Sequence, residues 1–557
     1  MFTAIKQTLS TATVNSTSVS SKNSFLDTAL KQTSQTRSEN GSLKYSTTNN
    51  PFVDQFGALS AYRNLRTYSV IASDMSELYA IDKEKAVKFA FYIRTITRTV
   101  NYPDGTKTQT VQRGAGLKHE AIMRFIWLAI NQPNTFWNNV QYIPMLGSWN
   151  DIFKMLQYDL VYNGIDGRVL DWKKFGQLIL AALENPKTLD LVKKYLPQIR
   201  SANSCKTVQA QADNYIAKFI AGLLFGKEND RFKLYRKLKT SGNAHEWQKL
   251  ISKGKALEIN FNTVHGRALA LLVSGNFIKK NNLIENYKEW LDKQDTVKYT
   301  GYPHELFKGI DSISDLYKTY TMDKQFKSLV ETAKKDALDT TSLIVVRDTS
   351  GSMGSFANNS TYSCHHIAKS LALFFSEMLP SGTFANSWIE FNSNAKLHTW
   401  KGSTPSEKFL NDNTHFVGST NFMSVIELFC SVKNSGVAET EFPSGILCIS
   451  DCEFNKTALD ETNVEAARRT LLEAGFSKEY VENFKIVLWN LQTKYTESKY
   501  ETFNTATNTF YFGGYDPSTI AFLTGVKNAE GKVAKEPKTD VEVFEAAMDQ
   551  EILNLIS

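Results

Sequence analysis

The sequence predicts an α + α/β architecture, in which a region of stacked helical hairpins is followed by a doubly wound, mostly parallel sheet with helices on both faces. Three observations predict it. Residues 55–338 repeatedly place apolar side chains at helical spacing and offer few strand signals. After about residue 340, short apolar runs alternate with helical stretches. The charge changes sign at the same place: residues 1–338 hold 47 Lys+Arg against 30 Asp+Glu, and residues 339–557 hold 17 against 27.

From the N-terminus, residues 1–50 are rich in Ser, Thr, Asn and Gln. Alone they bury too little apolar surface to offset their ordering entropy, which predicts an extended arm that orders only on another surface. Residues 51–338 form the helical domain. VKFAFYIRTI, HEAIMRFIWLAI, FGQLILAALE, ADNYIAKFIAGLLF and GRALALLVSGNF are its clearest helices, and 101–116 reads as a polar loop. No repeat period emerges, so the solenoid reading rests on helix density. Residues 339–530 form the sheet domain, with strands at 343–348, 388–392, 445–450 and 485–491 and helices at 365–379, 421–432 and 463–476. Residues 531–557 carry a last helix, 541–555, whose expected buried face is Val543, Phe544, Ala547, Ile552 and Leu553.

The chain has 557 residues, room for two or three cores. A hydrophobic share of 42% and a charged share of 22% are those of a globular protein. No apolar run is long enough to cross a bilayer, so no membrane role is expected. The first residues lack the continuous apolar core of a signal peptide. Five scattered cysteines without framework spacing imply a reducing, cytoplasmic compartment, and Cys448 and Cys452 lack the further ligands of a zinc site. A basic part joined to an acidic part leaves two readings open. Either the basic part meets a polyanion, or the two parts attract each other.

The clearest chemistry follows the first strand of the sheet. Asp348, Ser350 and Ser352 lie at a strand end and its Gly-containing turn, where hydroxyls and a carboxylate can converge. Thr420, in Gly418-Ser419-Thr420-Asn421, and Asp451, closing the strand GILCIS, lie at other strand-end loops, where open sheets bind ligands. Hard oxygen donors of this kind suit Mg²⁺ or Mn²⁺. Arg347 puts a positive charge beside the site. Neither His365 nor His366, on the next helix, reads as a general base, and Glu453 reads as a loop carboxylate, so no enzymatic activity is expected.

This constellation resembles the metal-ion-dependent adhesion site of von Willebrand factor A (vWA) domains. The resemblance implies that Ser350, Ser352 and Thr420 touch the metal and that Asp348 and Asp451 act mainly through bound water. It also implies that a partner's carboxylate takes the open position. A wider order of segments includes NNVQYIPMLGSWNDIF, EINFNTVHGRALA, YPHELF, WIEFNSNAKL, SDCEF and FYFGGYDPS. That order resembles a family of plant, fungal and viral or phage proteins that is itself similar to the TROVE, or Ro-like, proteins. Those proteins close HEAT-like helical hairpins into a ring with a vWA domain and bind single-stranded and structured RNA. The sequence departs from the family after Arg94, where Thr95 replaces an Asp and Gly114-Ala115-Gly116-Leu117-Lys118 lacks a Glu-Arg end.

The resemblance and the charge make Arg94, Arg98, Lys193, Lys194, Arg231, Lys233, Arg236, Lys237 and Lys239 candidate RNA contacts, with Tyr235 and Trp247 as stacking platforms. Two functional readings result. One is a non-catalytic RNA-binding scaffold of the Ro type whose metal site holds a protein partner. The other is a structural or assembly protein of a virus or phage particle, located there rather than free in the cytoplasm.

Overall fold

A computed structural model gives the fold and describes residues 24–101, 110–241, 246–264, 266–274, 276–310, 316–336, 342–378, 384–492, 498–504, 506–524 and 536–557. Strands β1 (Gln35–Arg37) and β2 (Leu43–Tyr45) form an N-terminal hairpin, and β3 (Ile96–Val100) and β4 (Thr110–Ala115) form a second. Strands β5 (Leu343–Asp348), β6 (Ser387–Phe391), β7 (Ala395–Thr399), β8 (Gly445–Ser450), β9 (Lys485–Asn490) and β10 (Thr509–Gly513) form one sheet in the order β10-β9-β8-β5-β6-β7. All its neighbours are parallel except β6 and β7. A helical region followed by an α/β domain is therefore the architecture.

The chain divides into two compact units. The helical unit holds residues 65–255 and 552–557. The sheet unit holds residues 24–64 and 256–551.

In the helical unit, Lys83–Arg94 is capped by Asp82, whose carboxylate accepts from the Lys85 N–H, and buries Val87, Phe89, Phe91 and Ile93. It packs between Tyr68–Ile81 and Lys118–Asn131, while Trp149–Asn163 packs on Val208–Phe225. The segment expected as a polar loop at 101–116 is corrected at its end, because 110–115 is strand β4, paired with β3. Gly114 permits this. A Cβ there would lie 2.4 Å from the Tyr92 carbonyl, so only glycine lets the hairpin lie this close to the preceding helix. Residues 102–109 of that loop lie outside the described residues.

In the sheet unit, β5, β8 and β9 read as near-continuous apolar runs because helices cover both faces. Ile344, Val346, Ile446, Cys448, Ile486 and Leu488 share one core with Val425, Ile426, Ala467 and Leu471 of the helices Met423–Asn434 and Asn463–Glu473. On the opposite face, the helix Cys364–Met378 sets Phe375 against Trp489 at 5.1 Å. The four expected strands are present. The antiparallel edge β7 and the aromatic β10 were not anticipated.

The expected boundaries need three corrections. Residues 24–50 are not an extended arm. Ser24–Thr33 is a helix, and the β1–β2 hairpin docks on the sheet unit through reciprocal backbone bonds between Tyr45 and Tyr500, both 2.8 Å. Residues 1–23 of the expected arm lie outside the described residues. Residues 256–336 group with the sheet unit, not with the preceding helices. Their apolar faces are buried there, with Phe307 stacked on Phe409 at 4.2 Å, and the Asp323 carboxylate accepts from the Ser406 N–H and hydroxyl, both 2.7 Å. The expected boundary itself, at 338–339, falls outside the described residues. The last helix is shorter than expected, Asp540–Met548. Val543, Phe544, Ala547, Ile552 and Leu553 are all buried, but the last two lie beyond the helix end in residues that group with the helical unit.

Candidate metal centre and basic surfaces

Strands β5 and β8 are neighbours, and the chain goes on from β5 to β6 on one side and from β8 to β9 on the other, so Asp348 ends its strand at a switch point. Asp348 is fully buried. Its Oδ1 accepts from the Ser350 N–H at 2.7 Å and its Oδ2 from the Ser450 hydroxyl. The Ser350 and Ser352 hydroxyls lie 3.0 Å apart. Two backbone bonds tie this turn to the next loop: Gly351 N–H to the Gly418 carbonyl (3.2 Å) and Val417 N–H to the Thr349 carbonyl (2.8 Å). Gly418 takes φ +78°, which favours glycine, and leaves Thr420 buried. Asn455 fixes Thr420 from the third loop, its Oδ1 accepting from the Thr420 N–H (3.2 Å) and its own N–H donating to the Thr420 carbonyl (2.9 Å). Asp451 follows β8, is buried, and accepts from the Glu453 N–H at 3.3 Å.

These contacts tie together the three loops that carry the five residues expected from sequence. Burial, and then the negative charge of Asp451, push the Asp348 carboxyl well above the ordinary carboxylate range. Two buried carboxylates that repel each other, beside three hydroxyls, are a donor set that a hard dication would stabilise. Among the described residues no group of three or more His, Cys, Asp and Glu side chains converges on a metal-sized space, so hydroxyls would have to share the coordination. Asp348 already accepts two protein hydrogen bonds, which suits a carboxylate acting through water.

Arg347 does not face this site. Adjacent strand residues point to opposite faces, so Arg347 lies on the other side of the sheet from Asp348. Its guanidinium pairs with Asp412 at 2.6 Å and lies 3.9 Å from the Trp388 ring. Burial would raise the Asp412 carboxyl, but the Arg347 charge and hydrogen bond hold it down at about 2. His366 Nε2 contacts the His304 carbonyl at 2.9 Å. The His365 ring lies against Phe416, and burial depresses its pKa to about 3.

Two features of the site had no signal in the sequence. Asn40, in the turn between β1 and β2, donates from Nδ2 to the Glu453 carbonyl (2.6 Å) and reaches the Thr420 hydroxyl at 3.5 Å. Beside these loops, Phe356, Phe416 and Val417 are 70%, 48% and 57% exposed.

The candidate RNA contacts divide. On the helix Arg231–Thr240, Lys233, Arg236 and Lys237 are exposed, Arg231 is half-buried with its guanidinium over the Phe232 ring, and Lys194 is exposed on Leu189–Tyr195. Trp247 is half-buried. Three expectations, at Tyr235, Lys193 and Lys239, need correction. Tyr235 is fully buried and its hydroxyl donates to the Pro197 carbonyl at 2.9 Å, so its ring is core and not a stacking platform. Lys193 is buried, and Lys239 donates to the Leu196 carbonyl. Arg94 forms an internal ion pair with Asp151 at 2.7 Å. Arg98 is largely recessed.

Residues 342–553 match a family model described as a domain of unknown function (DUF7788). No curated protein matches the chain. Among the described residues, no helix is long and apolar enough to cross a membrane.

Proposed function

We propose that the chain is a non-catalytic binding scaffold whose sheet unit holds one Mg²⁺ or Mn²⁺ and, through it, a carboxylate of a protein partner. The observation that supports this reading is that hydrogen bonds tie together the three loops carrying Asp348, Ser350, Ser352, Thr420 and Asp451. Ser350, Ser352 and Thr420 would hold the ion, with Asp348 and Asp451 acting through water; the bound ion supplies a positive charge for an incoming carboxylate. The exposed Phe356, Phe416 and Val417 supply apolar area beside it, as a protein interface requires. The site resembles the adhesion site of vWA domains. A histidine held neutral down to about pH 3 is a poor general base, which argues against hydrolysis at this centre. The test is titration of Mg²⁺ and Mn²⁺ into the full chain and into Thr420→Ala and Asp451→Asn. Saturable binding that both variants lose supports the reading. Equal heats in all three proteins overturn it.

A second role, RNA binding, is favoured by the helical unit, whose residues 65–255 carry 29 Lys+Arg against 16 Asp+Glu. The exposed Lys233, Arg236 and Lys237 share one helix there, and such a row binds phosphates with a steep salt dependence. Filter binding of single-stranded RNA at rising salt tests this role, and absence of binding at low salt removes it. The protein would then act in an assembly, in the cytoplasm or in a virus or phage particle, through the metal site alone.

A further inference from the structure

We infer that Arg94, Arg98, Lys118 and Lys154 form a phosphate-binding notch at the start of the helix Trp149–Asn163, a site separate from the exposed row on Arg231–Thr240. Two cations, Arg94 and Lys118, pair with one carboxylate here, and Arg98 and Lys154 lie nearby. Asp151 Oδ2 accepts from Arg94 Nε at 2.7 Å and from the Ser148 N–H at 2.9 Å, and its Oδ1 lies 3.4 Å from Lys118 Nζ. Lys154, one turn along the same helix, adds its charge and donates to the neutral Gln157 amide at 2.6 Å. Arg98 donates to the Met145 and Gly147 carbonyls, and its buried Nε has no partner among the described residues.

The electrostatics are out of balance. Burial, and then the neighbouring Arg94 charge, depress Arg98 below its ordinary range, and burial likewise depresses Lys118. Recessed charges of one sign are costly unless an opposite charge joins them. The missing charge is an anion with more than one negative oxygen. A carboxylate would neutralise one of the three surplus cations, whereas a phosphate monoester brings nearly two charges and three oxygens to match guanidinium and ammonium donors. The positive end of a fifteen-residue helix adds to the same field. Gly147 keeps the cluster tight: a Cβ there would lie 2.2 Å from Asp151 Oδ2 and 2.8 Å from Arg94 Nε.

The notch rests on its own geometry and not on the metal reading, and for the RNA role it would supply a seat for one terminal phosphate monoester. The probes are inorganic phosphate and a ten-residue oligouridylate carrying a 5′-phosphate, titrated into the full chain in chloride buffer. Phosphate should bind, and Lys118→Gln, at a side chain 39% exposed and so compatible with an unchanged melting temperature, should weaken it at least fivefold. Arg98→Gln should weaken it at least tenfold. Displacement of bound phosphate by the oligouridylate assigns the phosphate to a nucleic acid, and phosphate binding without displacement assigns it to a small phosphorylated ligand; both support the notch. No phosphate binding to the intact chain, or equal binding by folded Lys118→Gln, overturns it. Oligouridylate binding that persists in that case leaves the RNA role on the exposed row, and Mg²⁺ titration of the same samples reports the metal site separately.

Discussion

Replacing Lys44 by Met should release the N-terminal hairpin from the sheet unit while the sheet stays folded. Lys44 lies in β2, is 1% exposed, pairs with the equally buried Glu501 at 2.9 Å and donates to the Cys452 carbonyl, next to Asp451. The substitution keeps most of the aliphatic volume but leaves the Glu501 charge buried without its cation. Removing one partner of such a pair costs about 3–5 kcal/mol. The Glu501 carboxylate keeps one compensating bond, from the Asn463 N–H at 2.7 Å, which places the cost toward the lower end. The reporter is the Tyr45 amide, bonded to the Tyr500 carbonyl at 2.8 Å. If the hairpin opens as a unit, 3 kcal/mol corresponds to roughly a hundredfold faster exchange of that amide and its neighbours. Hydrogen exchange read by mass spectrometry on a peptide covering 42–46 measures it. The double variant Lys44→Met with Glu501→Gln removes both charges and should recover most of the protection. Protection of 42–46 within threefold of the parent in Lys44→Met would refute the claim that this ion pair seats the hairpin.

Three further outcomes are expected. Burial holds His304 at about 3 against 6.5 when unfolded, so it stays neutral in the fold and the unfolded chain binds the extra proton; stability is full above pH 6.5 and falls by about 1.4 kcal/mol per pH unit below it. Urea melts of His304→Phe and the parent at pH 7, 6 and 5 should therefore diverge with acidification, and parallel trends would contradict this. Gly418→Val forces a β-branched side chain into φ +78° with its Cβ 2.7 Å from Ser393 Oγ, a cost of about 1–3 kcal/mol that should displace Thr420 and lower Mg²⁺ affinity at unchanged far-UV circular dichroism. Tyr235→Phe should cost about 1 kcal/mol in thermal unfolding with no change in RNA affinity, whereas Lys233, Arg236 and Lys237 all changed to Glu should reduce the salt slope of RNA binding by up to about 2.

The sheet's order of strands and helices was written locally. LIVVRD, GILCIS and KIVLWN are apolar because each is buried on both faces, and that composition survives in any tertiary setting. The loops of the candidate site were legible for a related reason. Asp348 and Asp451 belong to short strand-end patterns that parallel neighbours bring to one edge, and Thr420 sits in a Gly-Ser-Thr-Asn turn before a helix, tied to them by backbone hydrogen bonds. Helix positions in the helical unit were equally readable from period 3.6.

What those periods could not say is which neighbour a helix face meets. Tyr235 and Arg236 are adjacent in one basic helix, yet one is core and the other exposed, because the segment around Leu196 and Pro197 covers a single side. The helices of 256–336 look like those before them and still belong to the sheet unit, since burial against Phe374 and Phe409 decides membership. The Ser/Thr/Asn-rich start carries too few apolar residues to order itself, so its hairpin exists only where Lys44 meets Glu501, 457 positions away. Amphipathic periodicity records that a face must be buried; only the folded chain supplies the surface that buries it, and with it the partners of Asn40, Lys44 and Arg94.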